Sequence, residues 1–216
     1  YLLGGLLLSA SRAGVAASVA GAVALALLLM RGRWRERPDL VRYFLGGLAV
    51  LLVVALVAGG ALLTKAVRAD ESGTRLVIWL TSLDAIGLSP WFGWGLGSFA
   101  DIYAILQPAT IPQANDLAHS TPVETVVEVG VIAAIPAFAV VLLPWGVSLR
   151  GAVRRDRRHR VLPSAAFAIA AVAILHSAVD FSLQIPAIGF VVSAVLGMGW
   201  AQAFGGGRRA RHGATP

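Results

Sequence analysis

Between residues 75 and 130 the sequence gathers Arg75, His119, Glu124 and Glu128 around a Gly-rich turn, in a chain that is otherwise 57% hydrophobic and 13% charged. Histidine is the one side chain whose unperturbed pKa, about 6.5, lets it accept a proton near neutral pH. Arginine is permanently charged and presents a fork of donors suited to phosphate oxygens. Such a cluster in an apolar chain is where chemistry at a membrane surface is to be sought first, although a lone histidine at a membrane edge is usually a polar interface residue. Glu128 lies one helical turn beyond Glu124 on the same side of a helix, and a carboxylate inside an apolar span needs a polar cavity or a partner. His176 and Asp180 have the same i, i+4 spacing, which lets them pair with each other on one helix face.

Other chemistries are excluded by what is missing. The sequence has no Cys, so disulfides, thiolate nucleophiles and Cys-ligated metals are out. It has no His-Glu-x-x-His, and apart from the distant His119 and His176 no histidines have ligand spacing, so neither a metal nor another cofactor is expected. A Ser-His-Asp hydrolase would require a G-x-S-x-G elbow, which is also missing. Gly93, Gly95 and Gly97 follow Pro90 as G-x-G-x-G. No strand precedes them, so they are not a dinucleotide fingerprint. Close backbone packing is the expectation, with exposed N–H groups available to help hold a phosphate.

The elements that position these residues are membrane helices. A mean hydropathy of +0.78 and so few charges describe an integral membrane protein. A bilayer core of about 30 Å takes roughly 20 apolar residues in a helix, and five segments qualify: 14–30, 43–63, 123–147, 164–179 and 187–204. Residues 1–10 are the end of an earlier span or a lead into the first. The chain opens on Tyr1, inside an apolar run without a basic leader, so it reads as the C-terminal part of a longer protein and not as a signal peptide.

The net charge of +7 does not indicate nucleic acid, because the arginines fall in short segments between spans and not on the face of a soluble module. They report topology instead, since cytoplasmic loops collect Lys and Arg. With alternating sides, Arg31, Arg33, Arg35, Arg37, Arg42, Arg150, Arg154, Arg155, Arg157, Arg158, Arg160, Arg208, Arg209 and Arg211 share one side. Only Arg12, Lys65, Arg68 and Arg75 of the 18 basic residues fall on the other. This predicts an outside start and a cytoplasmic C-terminus, with residues 64–122 and the 180–186 turn on the outer face. The cytoplasmic arginines are expected to touch anionic lipid head groups.

Within the outer loop, Leu76, Trp79, Leu80, Leu83 and Ile86 recur at intervals of three and four, which predicts an amphipathic helix lying in the interface. Trp79, Trp91 and Trp94 suit the head-group region. Ser120 or Thr121 is placed to cap the next helix, with Pro122 in its first turn and Glu124 near its positive end.

The order of these pieces resembles the O-antigen ligase and polymerase family of bacterial membrane glycosyltransferases. The resemblance runs from Ser11-Arg12-Ala13-Gly14, through Arg75 and Trp79 and the Pro90-x-x-Gly93-x-Gly95 segment, to His119-Ser120 and Glu128-Val129-Gly130. It implies an all-α, polytopic membrane bundle in the bacterial inner membrane, with one large periplasmic loop containing short interfacial helices. Residues 1–63 would hold two spans and a cytoplasmic Arg-rich loop, 64–122 the periplasmic loop, 123–204 three spans, and 205–216 a cytoplasmic basic tail.

It further implies a donor glycan on undecaprenyl diphosphate and an acceptor hydroxyl on lipid A core or another glycan, with membrane lipids as further partners. Arg75 and Arg12 would bind the diphosphate, His119 would activate the acceptor, and Glu124, Glu128 and Asp180 would support them from behind. No metal or other cofactor is required by that chemistry. The polymerase of the same family is the alternative. A transporter is the alternative from another class, and it predicts charges spread through the membrane depth, often with inverted repeats.

Overall fold

In the computed structural model the described residues are 11–31, 39, 46, 71–108 and 115–205, excepting the side chains of Arg12 and of residues 71–74. The expected lead-in 1–10, the span 43–63 apart from Gly46, the Arg-rich loop apart from Arg31 and Asp39, and the basic tail beyond Gly205 lie outside them. Among the described residues every regular element is helical: α1 Arg12–Met30, α2 Glu71–Leu88, α3 Phe99–Leu106, α4 Thr121–Arg154, α5 Val161–Ser177, a 3-10 turn Ser182–Gln184, and α6 Pro186–Phe204. α1, α4 and α6 are long and apolar enough to cross a membrane, and α5 is a shorter apolar helix of 17 residues.

The helices pack by small residues. The inward face of α5 is lined by Ala166, Ala168, Ala170, Ala171 and Ala173. A Cβ on Gly199 would stand 2.5 Å from Ala166 Cβ and 2.6 Å from Ser148 Oγ, and one on Gly151 would stand 2.8 Å from Ala203 Cβ. Large apolar side chains such as Val140, Leu143, Leu175 and Phe190 point outward. This inversion suits helices in lipid, where tails are as apolar as leucine and close backbone approach supplies the association.

Hydrogen bonds mark the two ends of the bundle. At one end Arg160 Nη2 donates to the Leu29 carbonyl near the end of α1 (2.8 Å), and Arg155 donates through Nε and Nη2 to the Ala203 carbonyl in α6 (3.0 and 2.8 Å). The last carbonyls of a helix lack intrahelical donors, and basic side chains can meet them. Arg155 and Arg160 are therefore more than charge signals facing lipid; they tie helix ends together. Replacing Arg160 with alanine leaves the Leu29 carbonyl short of a donor and is expected to cost about 1–3 kcal/mol. Thermal unfolding of the solubilised protein should register this as a lowered midpoint, with Arg158→Ala, at an exposed position, as the unchanged control.

α2 divides its apolar residues between two faces. Ile78, Ser82 and Ala85 are buried, while Leu76, Leu80 and Leu83 form an exposed stripe that suits an interface. Trp79 and Ile86 pack toward the protein, against a core of Ile78, Ala85, Phe99, Tyr103, Ala118 and Val127. The tryptophans accordingly differ from one another. Trp91 and Trp94 are exposed and Trp79 is half-buried, yet the indole N–H groups of Trp79 and Trp94 donate to the Ala118 and Ala85 carbonyls (3.0 and 2.9 Å). An indole that turns inward must find an acceptor for its N–H.

α4 spans 34 residues, but Gly130 (φ 69°, ψ 172°) breaks it. Unbroken, it would run roughly 51 Å, well beyond a bilayer core. The Pro90–Gly95 turn docks into the break. Trp94 and Gly95 N–H groups donate to the Val127 and Glu128 carbonyls (3.0 and 2.8 Å), and Val131 and Ile132 N–H groups donate to the Pro90 and Trp91 carbonyls (2.9 and 3.3 Å). Polar backbone groups freed by a broken helix need partners at membrane depth, and the Gly-rich turn provides them.

Candidate functional site

The end of the bundle opposite Arg155 and Arg160 collects the expected site residues around the Val179–Asp180–Phe181 segment. Arg75 Nη1 approaches the Val179 carbonyl at 3.5 Å. Thr121 donates to the Asp180 carbonyl through both its N–H and its hydroxyl, each at 3.2 Å. The ring of His119 lies 6.0 Å from that of Phe181, centre to centre. Two elements far apart in sequence, α2 and the segment 119–121, thus meet on a third, the short connection between α5 and the 3-10 turn.

His176, one turn before Asp180, ties in a fourth. Its Nε2 lies 3.3 Å from Ser11 Oγ and 3.7 Å from Asp180 Oδ2, and its Nδ1 meets the Ser182 hydroxyl. The i, i+4 pair is therefore formed, with two serines completing the imidazole's surroundings. Ser11 also caps α1, accepting from Gly14 N–H at 3.0 Å. Arg12 is the first residue of that helix, so its backbone starts at this end of the bundle, although its side chain is outside the description. The other oxygen of Asp180, Oδ1, accepts from Phe181 N–H at 2.8 Å.

Among the described side chains Arg75 pairs with no carboxylate, and the Val179 carbonyl takes only one of its donors. The rest of the guanidinium remains available to an anion. Polarity of the surrounding backbone adds to this. α1, α4 and α6 all begin at this end, and a helix N-terminus carries roughly half a positive charge.

His119 has φ 50°, the one positive φ at a non-Gly position among the described residues, and its Nδ1 is buried without a hydrogen-bond partner. The remaining acidic candidates are differently engaged. Glu124 is buried and accepts from Ala118 N–H at 2.8 Å. Glu128 Oε1 accepts from Phe99 N–H (3.4 Å) at the start of α3, so it serves the loop joint and not the Val179–Phe181 segment. Ser120 occupies the cap position of α4 without a capping bond; the Asp180 carbonyl meets the first N–H of that helix instead. No group of three or more His, Asp or Glu able to hold a metal ion occurs among the described residues.

The O-antigen ligase family model matches residues 1–138, which takes in Arg12, Arg75, the Gly-rich turn, His119 and Gly130. The chain belongs to the O-antigen ligase family. Comparison with curated proteins and with solved structures gives no match. O-antigen ligase family members are membrane enzymes of the ligase or polymerase type, glycosyltransferase-like, that act on lipid-linked glycans. The Val179–Phe181 segment, on which Arg75, Thr121 and His119 converge, lies beyond the matched residues.

Sequence reasoning did not anticipate three features of this site. Nothing in a one-dimensional pattern pairs Gly93 with Gly130, Trp79 with Ala118, or Ser11 and Ser182 with His176. The one available signal was that Ser11, Trp79, Gly93 and Gly130 all fall within the segments that carry the family resemblance.

Proposed function

We propose that this protein transfers a glycan from undecaprenyl diphosphate to an acceptor hydroxyl on the periplasmic face of the inner membrane, as an O-antigen ligase with lipid A core as acceptor. The observation that carries the reading is the convergence of Arg75 and His119 on the Val179–Phe181 segment, at the end of the bundle where three helices begin. Arg75, with Arg12 from the start of α1, binds the diphosphate; bidentate guanidinium–phosphate bonds are among the stronger charge-assisted ones. His119 receives the proton of the acceptor hydroxyl. The hydroxyl oxygen forms the new bond to the anomeric carbon, the old bond from that carbon to the diphosphate oxygen breaks, and its electron pair leaves with undecaprenyl diphosphate. Arg75 stabilises the charge that grows on the departing group. Asp180 and Glu124 hold backbone around the reacting groups. The activated leaving group supplies the driving force, so the step needs no metal.

The test is a transfer assay on the protein reconstituted with a lipid-diphosphate glycan, offered lipid A core or a second glycan as acceptor. Arg75→Lys keeps the charge and loses the fork, and it is expected to lower turnover about 10- to 100-fold, the order of one to two charge-assisted hydrogen bonds. Unaltered turnover would remove Arg75 from the mechanism. Gels of surface polysaccharide from a deletion strain then distinguish the acceptors. Loss of all core-attached chains supports the ligase, whereas a single repeat unit retained on the core means that the protein is the polymerase.

A further inference from the structure

A base that must take a proton from an incoming hydroxyl has to be held in place, and the usual device is a hydrogen bond from its second ring nitrogen to a carboxylate or carbonyl. His119 has none: its Nδ1 is buried and unpartnered. The neighbouring Phe181 ring, 6.0 Å away and tilted by 57°, provides packing but no hydrogen bond. Whatever fixes this imidazole must act through the backbone.

The preceding residue is held at both of its backbone polar groups, one in each of the two peptide units that flank its Cα. Ala118 is fully buried. Its carbonyl accepts from Trp79 Nε1 at 3.0 Å, and its N–H donates to Glu124 Oε2 at 2.8 Å. The two grips come from opposite sides, one from α2 and one from the first turn of α4. They meet immediately before the one described non-Gly residue with positive φ. A left-handed conformation costs an L-residue about 1–2 kcal/mol and persists only where the surroundings over-determine it. The Ala118 clamp is such a constraint. Neither clamp residue is free for another task. The Trp79 indole has one N–H and it is used, while the Glu124 carboxylate is buried and also takes a hydrogen bond from the Gln184 side chain.

The geometry points to Trp79 and Glu124 as positioning residues that act on the reaction through the backbone of Ala118, by holding His119 in its left-handed backbone conformation with the imidazole toward the acceptor hydroxyl. This rests on the proposed role of His119. Trp79 is half-buried and its indole N–H is committed to the Ala118 carbonyl, so it does more than fill space between α2 and α4. Glu124 acts on the backbone and does not itself take up the proton.

The test uses the full chain in phospholipid vesicles and four variants. Trp79→Phe keeps the aromatic packing and removes the indole N–H. Glu124→Ala removes the acceptor, and Glu124→Gln restores it without the charge. His119→Ala removes the base. Trp79→Phe and Glu124→Ala are each expected to lower kcat about 10- to 100-fold, the scale of a misplaced reacting group, with KM for the lipid-linked donor within about twofold, while Glu124→Gln recovers most of the loss.

The deciding measurement repeats Trp79→Phe and Glu124→Ala in the His119→Ala background. Residues that act through His119 lose their effect once it is gone, because coupled residues are non-additive. If both retain their full effect there, their role is structural and the proposal is overturned. Near-normal kcat in Trp79→Phe and Glu124→Ala beside an inactive His119→Ala overturns the clamp alone. Full activity in His119→Ala overturns the role of His119 and the clamp with it. Should Glu124→Ala fail to insert, Trp79→Phe decides, alone and in the His119→Ala background, since it keeps an aromatic ring in place.

Discussion

Replacing His119 with alanine is expected to lower glycan transfer by about 10²- to 10⁴-fold, the usual contribution of a positioned general base. Donor binding should be nearly unchanged, because the proposed mechanism assigns the diphosphate to arginine and not to the imidazole. The physical ground is the placement of the ring, beside Phe181 on the segment that Arg75 also reaches. Ala relieves nothing at φ 50°, since a Cβ is still present, so His119→Gly is the informative companion. It removes both the ring and the left-handed penalty, so a stability gain with equal loss of turnover would separate the chemical role of the side chain from its conformational cost. Transfer assays with varied donor concentration and thermal unfolding of both variants make the comparison. A His119→Ala protein that turns over normally would end the case for proton transfer at this position.

The second large effect concerns the joint between the Gly-rich turn and α4. A Cβ on Gly130 would stand 2.5 Å from the backbone nitrogens of Gly93 and Phe92, and one on Gly93 would stand 2.5 Å from the nitrogen of Gly130. Each glycine leaves the space that the other's backbone occupies. Those obstacles are backbone atoms held by four hydrogen bonds, so they cannot swing aside. Gly130 also sits at φ 69°, ψ 172°, a region essentially restricted to glycine, whose occupation by another residue costs about 1–3 kcal/mol before any clash.

Gly130→Ala and Gly93→Ala are therefore expected to undock the turn, lowering the unfolding midpoint and exposing residues 90–97 to protease. Activity should be lost with them, because the same joint orients the first turns of α4 behind His119. Gly97→Ala tests the distinction within the motif. It has positive φ (79°) but nothing within 4 Å of the added methyl, so only the left-handed strain of about 1–2 kcal/mol applies. Equal, mild effects at all three positions would mean that the turn does not pack against the break.

Much of the fold was legible because membrane helices announce themselves by length and composition. The segment 14–30 is matched by α1, 123–147 lies within α4, and 187–204 is matched by α6. The amphipathic stretch of the loop was legible as a helix too, but not its orientation. Periodicity reports that apolar residues share a face; it does not report whether protein or lipid covers that face. Leu76, Leu80 and Leu83 face out while Trp79 packs inward beside them, a division that depends on what α2 meets. The break at Gly130 was hidden for a related reason. Its neighbours Val127, Val129, Val131 and Ile132 continue the apolar pattern on both sides, Glu128 apart, and a single glycine in such a run reads as a packing residue.

The arginines divide the same way. Their distribution along the chain shows which ends of the helices share a side, since charge is carried by residue type. That Arg155 and Arg160 close on the carbonyls of Ala203 and Leu29 depends on where other helices end.

By itself, then, the sequence determined that this is a helical membrane protein of the O-antigen ligase family, and it named the side chains able to bind a diphosphate and take a proton. The helical membrane class depends on hydropathy and charge, and the family and the candidate side chains on the order and spacing of short motifs, all of which are read along the chain without its three-dimensional contacts. The tertiary structure decided that Arg75, Thr121 and His119 meet on Val179–Phe181, that the Gly-rich turn fills the break in α4, and that Trp79 and Glu124 grip the backbone of Ala118 on either side of its Cα. Each of these is made wholly or partly by backbone atoms, between positions 6 to 104 residues apart. Every residue has a carbonyl and nearly every one an N–H, so such bonds leave no mark on the sequence of either partner.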